Sequence, residues 1–246
     1  MSQLKIIEAF VLSKINYGDT SKILHIFSRE YGKFSVIAKG SRSKNSLYGR
    51  VLDPLNKISV SVYKKDTREM QIVSGADLIN HYDNIKSDFE ASAYAMAVLE
   101  LIKDLLPEEE INDVLYRGTD RIFDLMEEAN EHPAVLFARF YLFFLRQVGY
   151  EIIPELCALC GRDISSEENN SILLDQGVIC AECSKGKVNA IKLEEELFKL
   201  IICLNGKKSM DISGKYTGKL IRLLELYSRQ HFPDYKGSKS LTLLNY

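Results

Sequence analysis

Two Cys-x-x-Cys pairs, Cys157 with Cys160 and Cys180 with Cys183, hold four of the chain's five cysteines and stand 19 residues apart. Two residues between ligands let both sulfurs face one point from a tight knuckle. Each knuckle supplies half of a tetrahedron with Zn–S bonds of about 2.3 Å. Gly161, directly after the first pair, suits such a turn. Between the pairs, SILLD and GVIC flank a single Gln and can return the chain as a small hairpin. The spacing falls within a zinc pattern. An iron–sulfur cluster, which also takes four cysteines, stays open. Disulfides are disfavoured in a reducing compartment, and a thioredoxin-like site would need one pair beside a βαβ unit. Four thiolates close the coordination sphere and leave no place for a reactive water, so one structural Zn2+ is expected, its binding energy serving folding. Cys203, on an apolar helical face, is expected to be a small buried hydrophobe.

The compartment follows from what surrounds the cysteines. The opening MSQLKIIEAF breaks its apolar run at Glu8 and lacks a small-residue cleavage pattern, so no signal peptide is expected. The most apolar stretch, AVLFARFYLFFLRQVGY, carries Arg139 and Arg146 and is too short to span a bilayer. A cytoplasmic protein without membrane contact is the expectation.

The 246 residues carry a net charge of −2, which hides an asymmetry. Residues 1–82 hold 13 Lys and Arg against 7 Asp and Glu; residues 83–150 hold 6 against 14; residues 151–246 hold 13 against 13. A basic first unit beside an acidic one suggests a polyanion-binding surface next to a solubilising or protein-binding one.

Hydrophobic periodicity divides the chain in the same place. Leu24 and Ile26, then Phe34, Val36 and Ala38, then Ile58, Val60 and Val62 recur at period two, and MQIVSGA reads as a partner strand. About five short strands within residues 1–80 predict a small closed barrel, which removes exposed edges. From about residue 85 the period becomes helical. DFEASAYAMAVLELIKDLL is apolar nearly all round and predicts a buried helix; Leu115, Gly118, Ile122, Leu125, Met126 and Ala129 share one helical face. Pro133 opens another buried helix. Leu193 to Leu204 and Leu220 to His231 mark two more. Glu108, Glu109 and Glu110 read as the first turn of a helix, and the tail after Pro233 as frayed. The fold class expected is α+β and multidomain: a β-barrel of the OB type over 1–80 and a helical domain over 81–246, with a cysteine insertion at 154–187.

Enzyme motifs are missing. Gly206-Lys207-Lys208-Ser209 lacks the earlier glycine of a phosphate loop, since Ile201 stands there. Neither Gly-x-Ser-x-Gly nor His-Glu-x-x-His occurs, and no His-x-Glu precedes the cysteines as a deaminase would need. His25, His81, His132 and His231 read as packing or surface residues.

The densest positive stretch is AKGSRSKNSLYGR, where Lys39, Arg42, Lys44 and Arg50 fall together without one acid. Lys14, Lys22, Arg29 and Lys33 lie on neighbouring strands or turns. Such cations on one face of a barrel would track a nucleic-acid strand. Tyr31, Phe34 and Tyr48 could stack on bases, but each suits a core or turn role better.

The stretch YGDTSKILHIFSREYGKFSVIAKGSR, followed by a helical region and the cysteine quartet, resembles the bacterial recombination mediator RecO family across essentially the whole chain. The family commonly has Glu where this chain has Asp19. It also commonly has adjacent basic residues where this chain places Arg42 between Ser41 and Ser43. Some members lack the cysteines. The resemblance implies a non-enzymatic DNA-repair protein, nucleoid-associated in the cytoplasm, that binds single- and double-stranded DNA and anneals complementary strands without ATP. It also implies help in loading RecA onto SSB-coated strands, with RecR and the SSB C-terminal tail as partners. The alternative is a zinc-ribbon interaction module, a transcription or translation accessory factor without annealing activity.

Overall fold

The computed structural model describes residues 3–46, 48–65, 67–166, 168–206 and 214–244. The chain forms two compact units, Met1–Asn130 with Lys239–Leu243, and Glu131–Ser238 with Leu244–Tyr246.

In the first unit the alternating segments become β1 (Gln3–Tyr17), β2 (Ser21–Ser28), β3 (Gly32–Ala38), β4 (Lys57–Lys64) and β5 (Met70–Asn80). They close in the order β1-β2-β3-β5-β4, with β4 pairing back onto the first half of β1. Only β3 and β5 run parallel. This is the five-stranded OB barrel. The period-two residues read from the sequence all point inward: Leu24, Ile26, Val36, Ala38, Ile58, Val60 and Val62 are fully buried. Each of the leucines, isoleucines and valines among them contributes about 1.5–3 kcal/mol of hydrophobic stabilisation. The length of β1 is made possible by a bulge between Val11 and Ser13, which switches the parity of the strand. Before it, Ile7, Ala9 and Val11 face the core; after it, Ser13, Ile15 and Tyr17 face outward. Leu52, in the connection from β3 to β4, plugs one end of the barrel, with Tyr48 and Val51 packed beside it.

Helices α1 (Asp83–Ser87), α2 (Phe89–Leu105) and α3 (Asp113–Glu128) belong to the same unit. Asp88 caps α2 by accepting from the Ala91 amide at 2.7 Å, and Asn112 caps α3 by accepting from the Leu115 amide at 2.8 Å. Leu115, Ile122 and Met126 of the expected α3 face are buried, and Tyr116 and Phe123 add two rings packed at a tilt against Phe10, while Ala129 is exposed and ends the helix at φ 54°. A stripe counted from aliphatic residues alone misses the two rings that reach the barrel.

Two other expectations are corrected. Glu108, Glu109 and Glu110 do not start a helix, because Glu109 takes a positive φ of 59° and the helix begins only at Asp113. The described residues after Pro233 are not frayed but packed. Tyr235 is buried, and Ser240–Leu243 forms a 3-10 turn whose Ser240 amide and hydroxyl donate to the Glu100 carboxylate at 3.2 and 2.9 Å.

The second unit contains α4 (Pro133–Gln147), β6 (Ser171–Leu173), β7 (Gly177–Ile179), α5 (Ala181–Ser184), β8 (Ile191–Lys192), α6 (Glu195–Gly206) and α7 (Gly214–His231). Pro133 opens α4, as its fixed φ predicts. The tempting Lys207–Ser209 lies outside the described residues. No helix among the described residues is long and apolar enough to cross a membrane.

Candidate nucleic-acid interface and metal centre

The connection between β3 and β4 folds back on itself. Ser41 is buried and donates to the Ala38 carbonyl at 2.8 Å, and Gly49 approaches Ser41 so closely that a β-carbon there would stand 1.8 Å from the Ser41 carbonyl oxygen. Only glycine fits at that crossing. The loop is tied to the β1–β2 turn, since the Arg42 amide donates to the Thr20 carbonyl at 2.8 Å and its guanidinium to the Gly18 carbonyl at 3.0 Å.

The eight cations named from the sequence fall into three settings. Lys39, Arg42, Lys44 and Arg50 are exposed and make no ion pair among the described residues. Lys14 and Lys22 lie at the same end of the barrel but share one counter-ion: Asp53 Oδ1 accepts from Lys14 at 2.7 Å and from Lys22 at 3.3 Å. Lys22 also donates to the Gly49 carbonyl at 2.8 Å. The Asp53 carboxyl is raised by burial but held below its ordinary range overall by the two lysines. Arg29 follows the opposite end of β2, about 23 Å from Lys22 at ~3.3 Å per residue, and Lys33 on β3 stands opposite Phe27 near that end. Arg29 pairs with Asp113. Lys33 is buried, donates to the Lys103 carbonyl at 2.6 Å and pairs with Glu108 at 3.4 Å.

Sequence reasoning therefore gathers eight cations, and the fold leaves four of them in one loop without a carboxylate partner among the described residues. It missed Asp53. A lone acid inside a basic stretch, next to Pro54 in a tight connection, is the signal that pointed to it. Phe34 lies in the barrel core, Tyr31 packs edge-on against it, and the Tyr48 hydroxyl donates to the Lys39 carbonyl at 3.1 Å, so all three rings serve packing.

In the second unit, the four sulfurs of Cys157, Cys160, Cys180 and Cys183 lie within 4.8 Å of one another. The hairpin of β6 and β7 brings them together. The Ala158 amide donates to the Val178 carbonyl at 2.8 Å, docking the first knuckle on β7, and the Gly161 amide closes that knuckle on the Cys157 carbonyl at 2.8 Å. The second pair opens α5, where the Cys183 amide donates to Cys180 Sγ at 3.3 Å. The Cys160 and Cys180 sulfurs are 4.0 Å apart, close to the edge of about 3.8 Å that a tetrahedron with Zn–S bonds of ~2.3 Å requires. Burial raises the Cys157 thiol, but amides of Cys180, Cys160 and Leu159 outweigh it and bring it down to about 6. Cys183, which shares protons with Cys180 and Cys160, is pushed up to about 12. Four sulfurs this close cannot all ionise unaided, and a cation at their centre removes the conflict. The donor set can hold a metal ion.

Two family models match the chain: recombination protein O N terminal over residues 1–82, and recombination protein O C terminal over residues 86–240. Curated relatives agree. The chain is 24% identical over 238 residues to a DNA repair protein RecO of Caldanaerobacter subterraneus subsp. tengcongensis, covering 94% of each chain. It is 28% identical over 251 residues to that of Chlorobium limicola, covering 96% of this chain and 95% of the relative. To that of Exiguobacterium sibiricum it is 31% identical over 199 residues, covering 79% and 76%.

Proposed function

The chain belongs to the recombination protein O family, and from that premise we propose that it acts in DNA repair as a non-catalytic DNA-binding mediator. It binds single- and double-stranded DNA, anneals complementary strands and, with RecR, helps RecA onto SSB-coated strands, in the cytoplasm. The observation that carries the DNA-binding part is the loop after β3, whose Lys39, Arg42, Lys44 and Arg50 are exposed and unpaired among the described residues. Cations already held by carboxylates release few counter-ions; uncommitted ones release many. Binding is accordingly sequence-independent and falls steeply with salt, with a slope of about −0.7 per phosphate on a single strand and about −0.9 on a duplex.

Annealing needs no chemical step from the protein. Two strands repel through their phosphates, and a dense cationic loop between them lowers that repulsion. Hydrogen-bonded base pairs then form unaided. Cys157, Cys160, Cys180 and Cys183 would hold Zn2+, which would fix the β6–β7 hairpin and supply no reactive position. Glu182 beside them is an exposed residue paired with Lys185 at 3.6 Å.

The test is fluorescence anisotropy of labelled DNA over a salt series. The variant K39A/R42A/K44A should bind single-stranded and duplex DNA at least tenfold more weakly, for every sequence, and its salt slope should flatten by about two. Unchanged affinity would remove the loop from the DNA surface. An annealing assay without nucleotide on SSB-coated complementary strands checks the mediator step.

A further inference from the structure

We propose that Lys86 is a covalent docking point for damaged DNA, its amine forming a reversible Schiff base with the aldehyde of a sugar that has lost its base. The proposal rests on the DNA-binding reading above and adds a bond to it.

Three polar atoms meet beside the turn that ends the connection from β3 to β4. Lys86 Nζ of α1 donates to Asn56 Oδ1 and, at 2.9 Å, to His81 Nδ1. The two acceptors stand 3.1 Å apart, held together by the one ammonium. Asn56 is fully buried and fixed by its own amide group, which donates to the Val51 carbonyl at 2.8 Å. His81 Nε2 lies 3.8 Å from the Asp83 carboxylate. Lys86 is half-buried and His81 exposed, so the group is open to a ligand.

The backbone holds this arrangement under strain. Leu55 directly precedes Asn56 with φ 63°, and Tyr82 directly follows His81 with φ 56°. Both are bulky residues in a conformation that favours glycine. Such strain persists where the surroundings over-determine it, and it gathers at functional sites. The Asn56 amide closes the first turn on the Asp53 carbonyl at 3.2 Å, and the Tyr82 amide donates to Asn80 Oδ1 at 3.1 Å.

A lysine that only covers surface needs none of this, since it keeps its charge in water. Lys86 instead offers its protons to an amide oxygen and an imidazole. Burial pulls its pKa below the ordinary lysine value, against the pull of Asp53, Asp83 and Glu127. His81 is the base. When Nζ passes a proton to Nδ1, the new N–H faces Asn56 Oδ1, and the 3.1 Å contact between two acceptors becomes a hydrogen bond. Asp83 then stabilises the imidazolium. The freed amine is a nucleophile for a carbonyl carbon.

Location identifies the carbonyl. Asp53, three residues before Asn56 in the same turn, pairs with Lys14 and Lys22 at the cationic end of the barrel. Intact DNA carries no aldehyde, but a deoxyribose without its base opens to one at C1′. Nζ adds to C1′, and a proton moves from nitrogen to the new oxygen. The imidazolium then protonates that hydroxyl, and water departs as the C=N bond forms, leaving the charge on the iminium nitrogen. Hydrolysis reverses the step.

The test incubates the full chain with a single strand of about 20 nucleotides carrying one abasic site, with cyanoborohydride to reduce the imine to a stable amine. The parent should become cross-linked, and peptide mass spectrometry should place the adduct on Lys86. Lys86→Arg keeps the charge and should abolish cross-linking, while its affinity for an intact strand, read by anisotropy, stays at the parent's value. His81→Gln should slow cross-linking about a hundredfold at pH 7 and recover at pH 9.5, where solvent deprotonates the amine; a purely structural role would show no such recovery. The sugar alone, 2-deoxyribose 5-phosphate, should label Lys86 ahead of Lys39 and Lys44. Cross-linking of Lys86→Arg at the parent's rate, an unslowed His81→Gln, or adducts spread over the loop lysines overturns the proposal. Failure of the DNA-binding reading alone would appear separately, as lost cross-linking to the strand with Lys86 still labelled by the sugar.

Discussion

Gly32 lies so close to Glu110 that a β-carbon on it would stand 2.1 Å from the Glu110 carbonyl oxygen. The turn between β2 and β3 is hooked there onto the connection between α2 and α3. The Glu109 amide donates to the Lys33 carbonyl at 2.8 Å beside it. Gly32 also has φ +62°. Gly32→Ala therefore meets both left-handed strain and a backbone it cannot displace, and should cost about 2–4 kcal/mol. Gly18→Ala is the control: its φ is +53° but nothing stands within 4 Å of the added carbon. It should cost only about 1–2 kcal/mol. Urea midpoints of the two variants measure the difference.

In the second unit, the fully buried Tyr141 of α4 donates to Ser228 Oγ of α7 at 2.8 Å. Tyr141→Phe leaves the Ser228 hydroxyl with one partner fewer in an apolar setting, and should cost about 1–2 kcal/mol in urea denaturation. A larger loss would mean that the two helices depend on this bond for their packing.

The barrel was legible because its core obeys strict alternation, and the cysteine hairpin because thiolate spacing has few uses. What escaped the sequence was pairing. Nothing in a linear reading says that Lys33 is buried against Glu108 while Lys39 is free of acids, because the partners are 75 residues away in one case and missing among the described residues in the other. The outward position of Ile15 was hidden for a related reason. The β1 bulge reverses parity after Val11, so Ile15 falls on the opposite face from a count begun at Ile7. The acids at Glu108–Glu110 suited a helix start by charge, and only backbone conformation at Glu109 excluded it.

Asp53 limits the cationic end of the barrel. Asp53→Asn releases Lys14, whose side chain is 39% exposed, and Lys22, which at 12% stays mostly enclosed by Gly49. One extra phosphate contact is the expected gain, steepening the single-strand salt slope by about 0.7. Arg29→Ala, at the far end and paired with Asp113, should leave the slope unchanged. Anisotropy titrations of the two variants provide the comparison.

His25 gives the barrel a pH dependence. Burial, with Lys103 and Lys33 acting against Glu108, holds its imidazole below the ordinary value of 6.5. The folded state thus resists protonation, and as pH falls through about 6.5 the unfolded chain takes up the proton first. Stability should drop below that pH and level off once the folded pKa is passed. His25→Asn can keep a hydrogen bond to Ser35 without the charge. Its urea midpoint should change less than the parent's between pH 7.5 and 5.5, and parallel curves would remove His25 as the cause.

The zinc proposed for the four cysteines sets a test of what holds the second unit's hairpin. Strands of three, three and two residues cannot support a fold of their own, whereas a structural zinc site in small peptides supplies about 10–16 kcal/mol of apparent binding energy. Elemental analysis of reduced protein should give about one zinc per chain. Stripping it with a chelator, or substituting Cys160→Ser, should expose the amides of Ser171–Leu173 and Gly177–Ile179 to fast hydrogen exchange, while the amides of β1 to β5 exchange as before. The salt slope of DNA binding should not move, because the cations of the loop after β3 belong to the other unit. Iron in place of zinc would reassign the metal, and unaltered exchange in stripped protein would show that the hairpin stands without it.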